Sequence, residues 1–485
     1  KMNFLPDFFL NTWTLLILVI VLSTTYGCAP YVLFKRVGIR GPTPWPFIGT
    51  YLQYKTGLLD FYTECSLMII SSDRHLTCEL QLTAWCCVTR LYEGRIPVMF
   101  IVDTAMIKTV FVKEGYSVFL NRKSIGPNGI LSTGLPFLRD DNWKRVHKIV
   151  SPAFSSGRMK DVCKDIRKLK MKKSDIFPSS LQNDLTLYIS FAIFFSIDIE
   201  SLNNPSSPFL HYLQEMPELT VFRFVSAIFP FLTPLMDKMN ITVNSSEALQ
   251  FFISVIKKIK EERKNNPKDR VDFMQLMLNA QNEANEIPIN GLSDEEIMVQ
   301  ALIFALVGNG NMAYLVAFTA YNLAVHPKTQ TRLQAEIDRT FPGKCLITYE
   351  ELLQLKYLDM VVTETSRLYP LGNRIERVAK STVEVSGVII PEGVAVAVPI
   401  YTLHRDPTVW PDPDSFKPER FSKDNRDNID PYGLLTFGAG PRSCTGTRMS
   451  MLVVKLTLVE ILQHFSFVAC KETMVRSDFC PLSTF

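Results

Sequence analysis

The sequence lacks the signatures of several large enzyme classes. Among its 485 residues there is no phosphate-binding glycine loop and no His-Glu-x-x-His, and its ten cysteines include no Cys-x-x-Cys pair. These absences argue against P-loop nucleotide chemistry and zinc sites of the common spacings. The cysteines follow no framework pattern, so they read as reduced thiols with at most one in a functional role. Histidine is scarce, at six residues; a Ser-His-Asp arrangement stays open, but no spacing marks one. An excess of one charge is also missing, since 52 Lys and Arg against 48 Asp and Glu leave a net charge of only +4. That balance does not call for a nucleic-acid partner and is compatible with an acidic protein or an anionic membrane surface. With 47% hydrophobic and 21% charged residues, the chain can bury a large core. There is no internal repeat.

What is present begins with an apolar run. Residues 8–26 carry no charge and approach the about 20 residues needed to cross a bilayer. Lys35, Arg36 and Arg40 follow it, against Lys1 before it, which puts the rest of the chain on the cytosolic side. Trp13 and Tyr26 suit the two interfaces. The positive charge lies on the wrong side for a signal peptide and no small-residue cleavage site follows, so the run reads as an uncleaved anchor. Three prolines within Gly41–Pro46 make a stiff connector. The expected organisation is an anchor over 1–33, a proline-rich linker over 34–50 and a globular body over 51–485.

Within the body, residues 293–325 form the strongest helix. Ser293 and Glu296 make a capping box, and Pro327 sets the end. A second membrane span competes with this reading, but Gly308, Asn309, Gly310 and Asn311 at its centre give up about 3 kcal/mol of helix propensity. Such a stretch argues for a helix crossing a protein interior. Helices are also expected over 141–150, 328–369 and 448–465, and strands over 382–391 and 393–400. The phenylalanine-rich run 221–232 reads equally as core or as a membrane-facing surface. Residues 65–98 show no period. The fold class is mainly α with small β-sheets.

One segment carries chemistry on its face. Phe437-Gly438-Ala439-Gly440-Pro441-Arg442-Ser443-Cys444-Thr445-Gly446 leads into a helix. Its glycines permit close backbone approach to a flat ligand. A cysteine just before a helix N-terminus has its thiolate favoured by the helix dipole and nearby amides. Arg442 can pair with an anion. A flat dianionic ligand with a metal centre, haem, fits all three with Cys444 as the axial thiolate; a glycine loop around a buried cysteine is the plainer reading.

Phe-Gly-x-Gly-x-Arg-x-Cys-x-Gly is the haem-loop signature of the cytochromes P-450, and the segment resembles it at every fixed position. Glu364-Thr365-Ser366-Arg367 is similar to the family's Glu-x-x-Arg, whose spacing places both charges on one helix face, and Pro418-Glu419-Arg420-Phe421 to the segment whose arginine joins that pair. Stretches such as Met106–Val110, Ser201–Pro205, Leu403–Pro407 and Asn425–Tyr432 resemble the microsomal subfamily 3A. The resemblance implies a cytochrome P-450 fold behind one transmembrane helix, with haem b on Cys444. It implies an O2-dependent monooxygenase acting on large apolar substrates such as steroids and xenobiotics. Electrons would come from NADPH through a cytochrome reductase, with cytochrome b5 as a further partner, at the endoplasmic reticulum membrane. By position it assigns Arg122, Trp143, His147, Arg377, Arg442 and Phe437 to haem binding and Glu364, Arg367 and Arg420 to structure. It assigns Leu306, Val307, Leu371 and Gly372 to the substrate side, and Lys144, Arg145 and Lys148 to the segment facing the reductase.

Two departures matter. His147 stands where the family has arginine. In the long helix, Gly310 replaces the usual acid and Asn311 the usual threonine, at the place where the family's helix opens locally around oxygen. An ordinary monooxygenase with Asn311 and water relaying protons is one reading, and a peroxide-isomerase-like enzyme needing no O2 is another. A catalytically impaired haem-binding product is the third: residues 69–97 depart from the family, 158–190 look short, and most of a C-terminal hairpin is expected to be missing after about residue 473.

Overall fold

The computed structural model describes residues 4–56, 88–123, 126–166, 194–195, 208–215, 221–239, 241, 245–265, 272–283, 291–344, 347–471 and 473. Residues 69–87, 167–190, 201–205 and 474–485, which bear on several expectations above, lie outside them. The principal helices are α1 (Phe4–Cys28), α2 (Asp140–Val150), α3 (Ser246–Asn265), α4 (Phe273–Glu283), α5 (Asp294–Val325), α6 (Pro327–Thr340), α7 (Lys356–Leu368) and α8 (Thr447–Leu462). The strands are β1 (Val88–Glu93), β2 (Ile96–Ile101), β3 (Arg374–Val378), β4 (Val383–Val385), β5 (Val388–Ile390) and β6 (Ala395–Pro399). The chain is therefore mainly helical with small sheets.

The side chains of α1 from Trp13 to Leu22 are exposed almost without exception, as an apolar helix outside the body requires. This helix is long and apolar enough to cross a membrane. The same length test is passed by α5, but its surroundings differ. Ile297, Leu302, Ala305, Met312, Leu315 and Leu323 are buried, and the helix packs against α3, α7 and α8. It crosses the protein interior, and no bilayer is needed to explain its composition. The Ser293–Glu296 capping box forms in both directions, and the helix stops at Val325. It also runs unbroken through Gly308–Asn311, so the local opening implied by the resemblance is not formed.

The larger sheet has the order β1-β2-β6-β3. β1 and β2 make an antiparallel hairpin, β2 and β6 pair in parallel, and β3 closes on β6 antiparallel. The hairpin falls partly in the stretch without a sequence period, for a physical reason. β1 is buried at nearly every position and β6 throughout, so neither shows the alternation of a half-exposed strand. β4 and β5 form a separate hairpin whose two-residue turn, Ser386 and Gly387, has φ of 50° and 77°, the geometry of a type I′ turn.

Among the described residues, beside a small buried cluster of Leu91, Val98, Phe100, Ala395 and Ala397 on the sheet, two buried clusters are large. One is helical and centres on α5, α7 and α8; the other packs Phe34, Tyr92, Phe111, Phe119, Val396 and Ile400 around the sheet. The 437–446 segment lies between them. Leu435 and Ala439 belong to the sheet cluster, and Met449 and Leu452 to the helical one.

Candidate functional site

Cys444 lies two residues before Gly446, the N-cap of α8, and is exposed. Its N–H donates to the Phe437 carbonyl at 2.8 Å, and its own carbonyl accepts from Thr447 Oγ1 at 2.8 Å. The N–H of Gly438 donates to Leu435 O at 2.9 Å, and that of Ser443 to Gly440 O at 3.0 Å. The loop is thus closed by its own backbone bonds, and the Cys444 side chain stands at the positive end of a 16-residue helix. The glycine at 440 has a reason other than ligand approach. Its φ is 70°, and a Cβ there would sit 1.7 Å from the Phe111 carbonyl oxygen. Glycine at this position lets the loop lie on the Phe111 backbone.

Three arginines from distant parts of the chain meet beside this loop. Arg122 Nη2 donates to the Arg442 carbonyl at 3.1 Å. Arg442 Nη2 donates to the carbonyls of Pro136 at 3.2 Å and Leu138 at 3.0 Å, and its guanidinium lies 4.8 Å from the centre of the Trp143 ring. Arg377 lies 4.9 Å over the Phe111 ring. Arg377 and Arg442 are buried, at 2% and 4% exposure. Burial, with Arg122 close to both, pushes each down to about 9. Arg122 is exposed, yet the protein packed around its guanidinium lowers it as well, against the opposing pull of Cys444 and Glu376. Among the described residues none of the three forms an ion pair, and Arg442 Nε and Nη1 are buried without a hydrogen-bond partner. Unpaired buried cations are costly. A ligand bringing carboxylates into this cluster would supply what the protein withholds, so the residues fit a haem with its propionates here and its iron on Cys444.

Trp143 and His147 share one face of α2 and stack, with centroids 4.7 Å apart. Burial and then Arg442 hold His147 below the usual histidine range, so it is neutral near pH 7 and adds no cation. Of the residues expected to face a reductase, Lys144 and Lys148 are exposed. Arg145 is turned inward, pairing with Glu296 and donating to the Gly291 carbonyl at 2.6 Å. It ties α2 to the start of α5 and is withdrawn from that surface.

Glu364 and Arg367 form a fully buried pair on α7, at 2.8 and 2.9 Å. Glu364 Oε1 also accepts from the Lys417 N–H at 2.9 Å and from Arg420 Nε at 3.3 Å. All three residues singled out in sequence are brought together. Burial of such a pair is tolerated because the carboxylate accepts four hydrogen bonds and Arg367 also donates to the His404 carbonyl at 2.7 Å.

On α5, Leu306 packs against the helical core, while Val307 is half exposed. A Cβ at Gly310 would meet nothing within 4 Å, whereas one at Gly308 would touch the Phe194 ring at 3.4 Å. The helix therefore borders open space at 310, and Asn311 is partly buried beside it. Leu371 and Gly372 occupy the turn between α7 and β3.

Sequence reasoning missed several organising residues. Gln300, fully buried on α5, accepts from the Leu135 N–H and donates to the Thr133 carbonyl, both at 2.8 Å. Asp237 Oδ1 accepts from the N–H groups of Asn128 at 2.6 Å and Gly129 at 3.0 Å. Glu93, at the end of β1, is paired with Lys123 and Arg374; burial pushes its carboxyl up, but the two cations more than reverse this and hold it ionised. A polar residue on an otherwise apolar helix stretch was the available signal for Gln300. No local signal marks the other two.

The cytochrome P450 family description matches residues 39–484. Cytochrome P450 3A27 of Oncorhynchus mykiss is 41% identical over 493 residues, covering 98% of this chain and 92% of the relative. Cytochrome P450 3A40 of Oryzias latipes is 43% identical over 489 residues, covering 98% and 94%, and cytochrome P450 3A9 of Rattus norvegicus is 40% identical with the same coverage. A family match over most of the chain and relatives at 40–43% identity, on a fold whose cysteine loop and arginine cluster fit a haem, lead to one statement: the chain belongs to the cytochrome P450 family.

Proposed function

We propose that this protein is a membrane-anchored haem-thiolate monooxygenase that inserts one atom of O2 into large apolar molecules of the steroid and xenobiotic class. Electrons come from NADPH through a reductase, with cytochrome b5 as a second donor. The observation that carries this reading is the pair of buried arginines Arg377 and Arg442, with the exposed Arg122 against them, beside the Cys444 loop, two Arg442 nitrogens lacking partners. Cys444 would hold the haem iron, and Arg122, Arg377, Arg442 and Trp143 would hold the propionates; His147 packs on Trp143 as a neutral ring, and the Phe437 carbonyl anchors the cysteine amide. When bound, the haem supplies oxygen activation. The rest is done by side chains of this chain. Leu306, Val307, Leu371 and Gly372 line the substrate side. Gly310 leaves room along α5, and the Asn311 amide orients water that relays protons in place of the family's alcohol. Glu364, Arg367 and Arg420 brace the cysteine loop from behind.

The proposed organisation is an anchor over 1–33, a proline-rich linker over 34–50 whose Phe34 and Ile39 pack into the sheet cluster, and a catalytic body from 51 onward, facing the cytosol at the endoplasmic reticulum. Phe231, Leu235 and Met239 are strongly exposed and complete a lipid-facing surface near the anchor, whereas Ser226 and Ala227 of the same phenylalanine-rich region are buried. Lys144 and Lys148 offer the reductase its basic contact.

The testing experiment is the carbon monoxide difference spectrum of the reduced, purified chain, followed by NADPH-driven turnover of a steroid with reductase present. A red-shifted, thiolate-type Soret band with turnover is the expected result. A band at the unshifted position would overturn the Cys444 assignment. The absence of acid and alcohol at Gly310 and Asn311 favours a second reading, a peroxide isomerase. Conversion of a fatty-acid hydroperoxide without NADPH or O2, alongside no NADPH-driven turnover, would select it.

A further inference from the structure

Among the stretches resembling subfamily 3A, Leu403–Pro407 has no role in the function described so far. His404 in its middle is fully buried, and each of its ring nitrogens has a partner. The Leu435 N–H lies 2.9 Å from Nε2, and the Arg367 carbonyl lies 3.1 Å from Nδ1. A backbone N–H can only donate and a carbonyl can only accept, so the imidazole is the neutral tautomer with its proton on Nδ1. Arg367 holds the same residue a second time, donating from Nη1 to the His404 carbonyl at 2.7 Å. The Arg367 that pairs with Glu364 thus grips His404 at ring and backbone, and the ring passes that position to Leu435.

Leu435 opens the cysteine loop. Its carbonyl accepts from the Gly438 N–H, and the Phe437 carbonyl accepts from the Cys444 N–H. The other tether between α7 and this region is longer: Ser366 Oγ lies 3.3 Å from Thr436 Oγ1, which lies 3.4 Å from the Ser366 carbonyl.

We propose that His404 is the positioning residue that registers the cysteine loop against the buried Glu364–Arg367 pair, and so sets the placement of the Cys444 thiolate on the haem side. The tautomer makes the claim specific. An acceptor is required where Nε2 lies and a donor where Nδ1 lies, and the loop depends on the first. Glutamine carries its amide oxygen about as far out as Nε2. Asparagine ends near Nδ1, so it can keep the bond to Arg367 O but cannot reach Leu435.

The test compares His404→Gln and His404→Asn, each purified with haem and retaining its far-UV circular dichroism, with Thr436→Val as the control for the weaker tether. The readout is the ratio of unshifted to thiolate-type carbon monoxide bands. His404→Gln and Thr436→Val should match the parent. His404→Asn should raise the unshifted share about tenfold, the effect of one lost buried hydrogen bond. Equal ratios in both His404 variants, whether normal or raised, would overturn the proposal, because the acceptor would not be what matters. The inference rests on Cys444 as the haem ligand. Amide exchange in the parent protein does not, and it serves as a second measurement if the asparagine variant fails to fold: the Leu435 N–H should exchange at least about a hundredfold more slowly than an exposed loop amide. Exchange at the exposed-loop rate would sink the His404 tie even if the spectrum is thiolate-type. A protected Leu435 with no thiolate-type band in the parent would sink the haem reading alone.

Discussion

Arg442 carries two functions in one side chain. Nη2 fastens the 136–138 backbone, while Nε and Nη1 stay unpaired in a buried position. Replacement by methionine should keep the packing against Trp143 and lose the anion site. The expected outcome is a haem dissociation rate raised at least about tenfold, corresponding to one charge-assisted bond of about 1.5–3 kcal/mol, measured by haem transfer to an apo-globin. His147 offers the converse case. As a neutral ring it relieves a cluster already crowded with positive charge. His147→Arg should lower the melting temperature of the haem-free chain and slow haem loss from the loaded one. A shift of the same sign in both forms would rule out the propionate reading of this position. At Glu364 the carboxylate receives four donors. Removing its charge with Glu364→Gln leaves Arg367 buried and unpaired, a loss of about 3–5 kcal/mol that should appear as failure to accumulate folded protein.

At the level of the element, glycines of similar appearance separate into different roles. Gly440 packs its Cα on a carbonyl in a left-handed conformation, whereas Gly310 sits in a helix beside open space. Gly440→Ala should abolish stable haem incorporation because a Cβ collides with the Phe111 backbone. Gly310→Ala should raise haem-free stability by about 1 kcal/mol, the helix-propensity difference between the two residues, as read by chemical denaturation. The pair of results would show that α5 tolerates glycine at 310 for the space it leaves. The proton-relay reading is tested on the same helix: Gly310→Glu combined with Asn311→Thr should raise NADPH-driven product per electron consumed. No gain would exclude a missing relay as the limit on turnover. α2 shows how packing redistributes a charge pattern. Beyond Asp140 and Asp141 its charged residues are all basic, yet Arg145 is consumed by Glu296 and only the lysines remain outward.

For the molecule as a whole, buried histidine chemistry predicts acid lability. Burial pushes His404 down to about 3, with the facing Arg367 and Arg405 guanidiniums adding to the effect and the Arg367 carbonyl opposing it. Its folded value lies below the unfolded one of about 6.5. The neutral ring's contribution is therefore complete above that pH and is lost as pH falls toward 3, at up to about 1.4 kcal/mol per pH unit. Melting temperature in detergent should drop between pH 6.5 and 4.5, and His404→Gln should flatten that limb. A parallel decline in both proteins would assign the lability elsewhere. The two cores give a second expectation at this scale. The cysteine loop lies between the helical cluster and the sheet cluster, so haem binding should tie them into one cooperative unit. The calorimetric transition should be sharper with haem than without.

Several features could be read directly from the order of residues. The apolar α1, the capped start of α5, the Phe437–Gly446 motif and the Glu364/Arg367 spacing are local patterns, each set by periodicity, capping or a short motif, and each reappears in the fold where expected. Strand β1 was unread, because burial on both faces erases the alternation on which strand reading depends, while β6 fell within the strand expected over 393–400. The arginine cluster is a different matter. Arg122 lies far in sequence from Arg377 and Arg442, and outside a family resemblance nothing local says that the three meet beside one loop. The roles of Asp237 and His404 were unreadable for the same reason, and Gln300 showed only as a polar residue on an apolar stretch: a hydrogen bond across the fold leaves no period in the chain. Local order determined which segments form helices and where the thiolate stands. Tertiary packing alone decided that Arg377 and Arg442 lose their solvent together with Arg122 beside them, because only the folded chain brings those three positions to one place.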